Sequence, residues 1–452
     1  MLKTARASRR EILGWAMFDF ANQAYTLLII TVIFGDLFTR VIVGDAGNDY
    51  RLGNLLWSLS LATSYLLVVI AAPTFGAVMD GTGRKKQFLF VSYLLTVVST
   101  AALWFVAPGY VGLGVLLIIV SNYAYSMGES FIAAFLPELA RPEEMGRVSG
   151  FGWALGYIGG MVATAFTLVM LGEVSESNFD RIRWVGPFAA VFFLLCAIPT
   201  FLWMRERAPV RPLPLGTNWL RLGMERLRAS WNGVRHFPDM TRFLVSLFFS
   251  MAGIYIIISY AFIYGSQVIG WDESTRVLMF VAVQISAAVG ALAFGLIQDG
   301  LGAKRTYLTT LGIWIAAILL IRWTEALTGG LNRLLGTDWE AQFVFVAVGV
   351  VAGVALGSCQ SAGRTVVGLF SPRGRAAELF GFWGVSLRLA GAFGLLAVGL
   401  LQYLVGLENA MLFCAALFAV AGVVALGVGE SRGRRRARAA DRLEERREGA
   451  IR

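Results

Sequence analysis

The sequence predicts an all-α polytopic membrane protein: twelve transmembrane helices in two pseudo-symmetric six-helix bundles. Three observations lead there. The 452 residues are 57% hydrophobic and only 15% charged, with a mean hydropathy of +0.67, whereas soluble domains carry roughly 25% charged residues. Most apolar runs reach about 20 residues, enough to cross a ~30 Å hydrocarbon layer as helices. A polar loop also recurs in the two halves. Gly76, Asp80, Gly81, Gly83, Lys85 and Lys86 match Gly295, Asp299, Gly300, Gly302, Lys304 and Arg305 at one offset of 219 residues, with Ala303 standing where the first loop has Arg84. Doubled loops at equivalent places mark an internal repeat of the kind transporters carry.

The elements follow in order. Basic residues Lys3 to Arg10 precede an apolar run at about 13–38, which is too long and too polar for a signal peptide and reads as a retained first span. Further runs near 55–79, 87–107, 111–136, 148–172 and 184–204 complete a first bundle over 1–204. The 205–241 linker opens on Pro209, Pro212 and Pro214 and continues as an amphipathic helix through Leu220, Met224, Leu227, Trp231 and Val234. Runs near 242–268, 276–298, 305–323, 341–363, 377–402 and 409–429 form a second bundle over 242–430. A basic tail, 431–452, alternates Arg and Glu and reads as a solvated, fraying helix. Gly152, Gly156 and Gly160 on the fifth span, and Gly349, Gly353 and Gly357 on the tenth, predict close helix approach.

The net charge of +10 is a topology signal rather than a nucleic-acid footprint. Of the 39 Lys and Arg, 31 fall on alternate polar stretches that include both termini, 7 on the opposite ones, and Arg388 inside a span. The positive-inside rule then sets both termini in the cytoplasm of a cytoplasmic (inner) membrane. No cofactor or metal is expected: His236 is the lone histidine, Cys196, Cys359 and Cys414 are scattered, and no Walker loop is present.

Polar residues inside apolar runs are costly, so they mark function or pairing. Asp19, Asn22, Gln23 and Thr26 share a helical face on the first span, and Asn122, Ser126, Glu129 and Ser130 do so on the fourth. Gln360 and Arg364 lie on the tenth and Arg388 on the eleventh. Glu129-Ser130 aligns with Gln360-Ser361, and Gly150-Phe151 with Gly381-Phe382, at an offset of 231. Asp19, Asn22, Gln23, Glu129, Gln360, Arg364 and Arg388 are therefore the candidate solute- or proton-binding residues. Gly76, Asp80, Gly83, Arg84, Lys85, Gly295, Asp299, Gly302, Lys304 and Arg305 are the candidate gating loops, with Asp80–Arg84 and Asp299–Lys304 as the expected ion pairs.

Twelve spans and the doubled Gly–Asp–Gly–basic loop resemble the major facilitator superfamily. Within it, the stretches Gly14 to Tyr25, Leu136-Pro137-Glu138 through Gly160, and Gln360 to Thr365 resemble the vacuole-effluxer-like family of autophagy-related amino-acid exporters and their bacterial relatives. The resemblance implies a central cavity alternating between sides, and export of neutral amino acids. The expected function is secondary transport of a small polar or amphipathic solute, with a carboxylate and an arginine holding a zwitterion and protons as a candidate coupling ion. A lipid or lysolipid flippase, an exporter of drugs or other metabolites, and a non-transporting receptor or scaffold are the alternatives. The expected partners are the solute and the bilayer, with a monomer sufficient and no nucleic acid.

Overall fold

The computed structural model describes residues 7–45, 51–171, 174–207 and 237–451, and among these there is no strand. The amphipathic linker helix expected at 220–234 lies outside the described residues. Eleven helices among the described residues are long and apolar enough to cross a membrane. The fifth predicted span is also helical, over the 27 residues Met145–Leu171.

The second, eighth, tenth and eleventh spans run beyond their apolar cores, while the third, fourth, ninth and twelfth stop short of them. The second is Arg51–Thr82, the third Lys85–Ala102, the fourth Val111–Ala133, the eighth Glu273–Leu301 and the tenth Ala341–Phe370. The ninth is Ala303–Arg322, the eleventh Ala376–Val405 and the twelfth Leu407–Leu426. The sixth is interrupted between Val185–Cys196 and Ile198–Trp203, where Pro199 withholds an N–H from the helix.

The first span, Arg9–Val43, leaves α geometry midway. Its α-helix Arg9–Ala24 opens with a capping box between Ser8 and Glu11, then widens to π-helix over Tyr25–Val32 and again over Phe38–Val43. The seventh span, Pro238–Tyr264, likewise ends in a π-turn, Gly265–Ile269, closed by left-handed Gly270. Such widened turns concentrate at functional sites because they re-aim side chains on an otherwise rigid helix.

The chain divides into two compact units. The first comprises Met1–Ala140, Leu155–Trp231 and Arg373–Val385, and the second Arg141–Ala154, Asn232–Pro372 and Ser386–Arg452. Two short pieces thus depart from a simple six-plus-six division. The start of the fifth span belongs with the second unit and the start of the eleventh with the first.

Within each unit the chain ends on the basic side are tied by matching polar bonds. In the first, Glu206 accepts the Lys86 N–H at 2.9 Å, the Lys86 ammonium donates to the Met204 carbonyl at 2.9 Å, and Arg207 pairs with Glu11 at 2.8 Å. In the second, Glu430 accepts the Lys304 N–H at 2.9 Å, and the Lys304 ammonium donates to the Leu426 and Val428 carbonyls at 2.8 and 2.7 Å. Asp239 accepts from Arg432 Nε at 2.7 Å and from the Gly429 N–H at 2.8 Å. In both, the first, third and sixth spans are stapled together.

The tail is not the fully solvated helix the sequence suggests. It is helical over Glu430–Ile451, and one face, Gly433 and Ala437, is buried; a Cβ at Gly433 would fall 2.6 Å from the Phe370 ring. Asp239 anchors it and holds Arg432 above the usual guanidinium pKa.

Glycines bring the helices together. Gly353 lies where a Cβ would sit 2.9 Å from the Val283 carbonyl oxygen, and Gly357 meets the Ala287 carbonyl, so the tenth-span stripe packs on the eighth span. On the fifth span, Gly156 faces the Asp19 carbonyl at 3.3 Å, and the tightest contact, with the Phe20 carbonyl, belongs to Gly159, off the expected stripe. A methyl group at Gly159 must displace backbone, so Gly159→Ala is expected to cost about 1–3 kcal/mol. Gly312→Ala, with open space around its Cβ, should leave stability unchanged or raise it by about 0.5–1 kcal/mol. Thermal melts of the purified chain check this; equal Tm values for the two variants would contradict the packing.

Candidate functional site

The doubled loops make matching contacts at the helix ends. A helix begins with N–H groups that have no intrahelical acceptor and a partial positive charge. Asp80, in the last turn of the second span, accepts the N–H groups of Ala377 and Glu378 at 3.1 and 2.8 Å, at the start of the eleventh span. Asp299, in the last turn of the eighth, accepts those of Gly146 and Arg147 at 2.8 and 3.1 Å, at the start of the fifth. Residues 146 and 147 correspond to 377 and 378 at the same offset of 231 that aligns the fourth and tenth spans. Each aspartate therefore caps, from a distant part of the chain, the helix that its symmetry mate's half supplies.

The cap requires close approach, and glycine permits it. A Cβ at Gly76 would run into the Ala377 carbonyl, and one at Gly295 would lie 2.9 Å from the Gly146 carbonyl oxygen. Gly381 and Gly150 extend the two contacts; a Cβ at Gly381 would be 2.7 Å from the Ala72 carbonyl oxygen, and one at Gly150 would lie 2.9 Å from Gly295 Cα. Gly83 and Gly302 turn the chain at φ +67° and +96°, a region that favours glycine. Beside each cap sits an i,i+3 ion pair of reversed sign: Arg375–Glu378 at 2.6 Å and Glu144–Arg147 at 3.1 Å.

The cation on Asp80 is Lys85, not the expected Arg84. Lys85 Nζ lies 3.2 Å from Asp80 and 2.8 Å from Glu138, and the three side chains are 1%, 4% and 7% exposed. Arg84 is exposed at the N-cap position of the third span. The Asp299–Lys304 pairing is corrected as well, since Lys304 is spent on the Leu426 and Val428 carbonyls. The reason is a shift of one residue. The ninth helix begins immediately after Gly302, whereas the third begins after Arg84. Lys304 therefore matches Lys86, and Ala303 matches Lys85. Leu369 stands where the first half has Glu138, so the second latch has an apolar pair in place of the charged one.

The polar spans divide less simply. Trp15 Nε1 donates to the Ile132 carbonyl at 2.8 Å, Tyr25 and Ser121 share a hydrogen bond at 2.8 Å, and Thr26 and Tyr125 share one at 2.7 Å. These bonds fix the antiparallel register of the first and fourth spans. At that register Asp19 is level with Glu129, and helical geometry turns both to the same flank of the contact. Both are half-buried, as is Gln23 on that flank. Asn22 instead falls on the contact face, where its Oδ1 is buried without a hydrogen-bond partner among the described residues. Asn122 is committed to packing, donating to Ser64 Oγ at 2.5 Å.

In the second unit, Arg364 is 2% exposed and clamps the fifth span's start. Its Nε donates to Ser149 Oγ at 3.2 Å, its Nη2 to the Ser149 carbonyl at 2.9 Å, and its guanidinium lies 5.2 Å from the Trp153 ring centre. Gln360, one turn earlier, is half-buried. Arg388 is 6% exposed on the eleventh span, one turn before Gly391, whose Cβ would meet the Tyr255 ring at 3.4 Å. Arg364 thus serves helix packing within the second unit, beside the Asp299 cap.

Sequence reasoning missed Glu138, Glu378, Glu206 and Glu430. The signal was present: Glu144 and Arg147 map onto Arg375 and Glu378 at the 231 offset with signs exchanged.

The charged latch is testable. Removing Lys85 alone strands two buried carboxylates, so Lys85→Ala should destabilise by about 3–5 kcal/mol. Adding Glu138→Leu recreates the pattern of the second half and should recover a large part of that loss. Tm values for the two variants check it; a double variant as unstable as the sum of the single ones would contradict the shared pair.

Comparison with known proteins bears on family and fold. The family described as "Vacuole effluxer Atg22 like" matches residues 55–438. The MFS-type transporter YxiO of Bacillus subtilis, itself described as uncharacterized, is 24% identical over 420 residues, covering 91% of this chain and 93% of YxiO. Autophagy-related protein 22-1 of Aspergillus niger is 24% identical over 330 residues, covering 69% of this chain, and the match spans only 52% of that fungal protein. Among solved structures, the proton:xylose symporter XylE superposes with TM-score 0.67 at 14% identity, over 94% of this chain and 96% of XylE. The human organic anion transporter MFSD10 superposes with TM-score 0.69 at 15% identity, over 92% and 99%. At such identities these structures speak for the fold alone. The chain is a major-facilitator-type transporter and belongs to the Atg22-like vacuole effluxer family.

Proposed function

We propose that this chain is a secondary active transporter that exports small polar or amphipathic solutes, amino acids first among them, by alternating access across a bacterial-type inner membrane. The observation that carries the reading is the pair of reciprocal caps. Each joins helices from opposite halves of the sequence through two N–H bonds to one aspartate, a contact that can break and re-form without unfolding either helix. With the basic loops in the cytoplasm, both caps close the cytoplasmic side, and their release opens it. A single chain carries both latches, so a monomer suffices.

Asp19 and Glu129 supply a carboxylate pair at one level, suited to an ammonium group and to carrying a proton. Arg388 supplies the opposite charge for a carboxylate, and Gln360 and Gln23 supply neutral hydrogen bonds. A zwitterion carries both an ammonium and a carboxylate, the two groups these charges suit, and an unmatched charge inside a membrane is costly. The family description as an effluxer supports the outward direction.

Counterflow in proteoliposomes preloaded with mixed amino acids tests this. Wild type should exchange labelled neutral amino acids, and Glu129→Gln and Arg388→Ala should each reduce exchange to background while keeping the wild-type melting profile. No exchange of any amino acid by the folded wild type would remove this substrate class and bring lipid or other-metabolite export forward.

A further inference from the structure

Between the ninth and tenth spans the chain forms a helix that the transport cycle does not use, Thr324–Leu335. It is 12 residues long and segregated. Leu327, Leu331 and Leu334 repeat at i, i+4 and i+7, with Leu335 beside them, while Glu325 and Arg333 lie on the other side. Thr324 and Thr328 are buried, so its first two turns pack on the protein. The last turn does not. Leu334 is 82% and Leu335 57% exposed, and Trp323 and Trp339 flank the helix at 52% and 51%.

This is an ordered element rather than a loose loop. Left-handed Gly336 ends the helix at φ +66°. Asn332 then fixes the return: its Nδ2 donates to the Trp339 carbonyl at 2.9 Å, and its Oδ1 accepts from the Trp339 N–H at 2.9 Å and the Thr337 hydroxyl at 3.0 Å. The Arg322–Glu408 pair, 3.2 Å apart at the ends of the ninth and twelfth spans, marks where the apolar belt stops on this side. The ends of the adjoining ninth and tenth spans are likewise apolar and exposed, at Leu320 and Phe343.

We propose that Thr324–Leu335 is an interfacial helix seated in the outer leaflet of the bilayer. Leu334 and Leu335 enter the acyl boundary, Trp323 and Trp339 sit at headgroup level, and Glu325 and Arg333 remain in water. Tryptophans prefer that depth, and an amphipathic helix with a charged opposite face binds in the plane of the interface. Continuity with the lipid-facing belt of the ninth and tenth spans favours lipid over a second copy of the chain. The inference is independent of which solute is carried.

The test uses the full chain in liposomes, with its three native cysteines replaced by alanine and an environment-sensitive fluorophore at Leu334→Cys, or separately at Glu325→Cys. The Leu334 probe should be quenched several-fold more by lipids bearing a nitroxide near the headgroup than by aqueous iodide, and the Glu325 probe should show the reverse. Iodide quenching that is equal at both positions would overturn the proposal. So would a Leu334 probe shielded from both quenchers that becomes accessible on dilution of protein in lipid, which is the signature of a second copy. Trp339→Cys, labelled in the same way, provides the reading if Leu334→Cys does not fold, with lipid quenching expected and iodide quenching contrary.

Discussion

The N–H groups at the start of the fifth and eleventh spans set the constraint on which the rest depends. Donors at a helix start must find an acceptor, and in a chain this apolar few polar groups are at hand. Asp80 and Asp299 provide the acceptors from distant segments. Both oxygens of each carboxylate are used, which fixes orientation as well as distance. The glycines at 76, 150, 295 and 381 follow from that geometry, because carbonyl and Cα groups occupy the space a side chain would need. The exchange of residues 141–154 and 373–385 between the compact units is the same constraint seen at the scale of the chain.

Two kinds of polar contact then have different roles. Glu206, Arg207 and Lys86 in one unit, and Glu430, Arg432 and Lys304 in the other, join the first, third and sixth spans of a single half. They use long side chains on carbonyls and carboxylates of the same half. The caps use short aspartates on backbone donors from the other half of the sequence, and each cap lies inside one compact unit.

Much of this was legible in the sequence because it depends on periodicity. Span positions come from apolar length, and the doubled loop from identical residues at a fixed spacing. The 231 offset, seen first in Glu129-Ser130 and Gln360-Ser361, proved to govern the caps as well. The pairing of Lys85 was not legible. Gly83 and Gly302 align by eye, and only the backbone reveals that the ninth helix starts one residue sooner. The sequence does not show that Asn22, on a stripe with Asp19 at i+3, has its Oδ1 buried without a hydrogen-bond partner among the described residues while Asp19 is half-buried. The docked tail was hidden because its charge pattern resembles that of a solvated helix, and what seats it is two small residues, Gly433 and Ala437.

The two latches are alike in backbone and unlike in side chains, and this sets how each one holds. In the first, two carboxylates share one lysine, all nearly excluded from water, so geometry is tightly specified and a small displacement exposes unpaired charge. In the second, Ala303 and Leu369 take those places, both buried, and Asp299 keeps its cap on Gly146 and Arg147. The second oxygen of Glu138 is buried with no hydrogen-bond partner among the described residues, so the charged contact is not saturated. The repeated scaffold therefore carries two unlike contacts, a charged one at Asp80, Lys85 and Glu138 and an apolar one at the corresponding places of the second half.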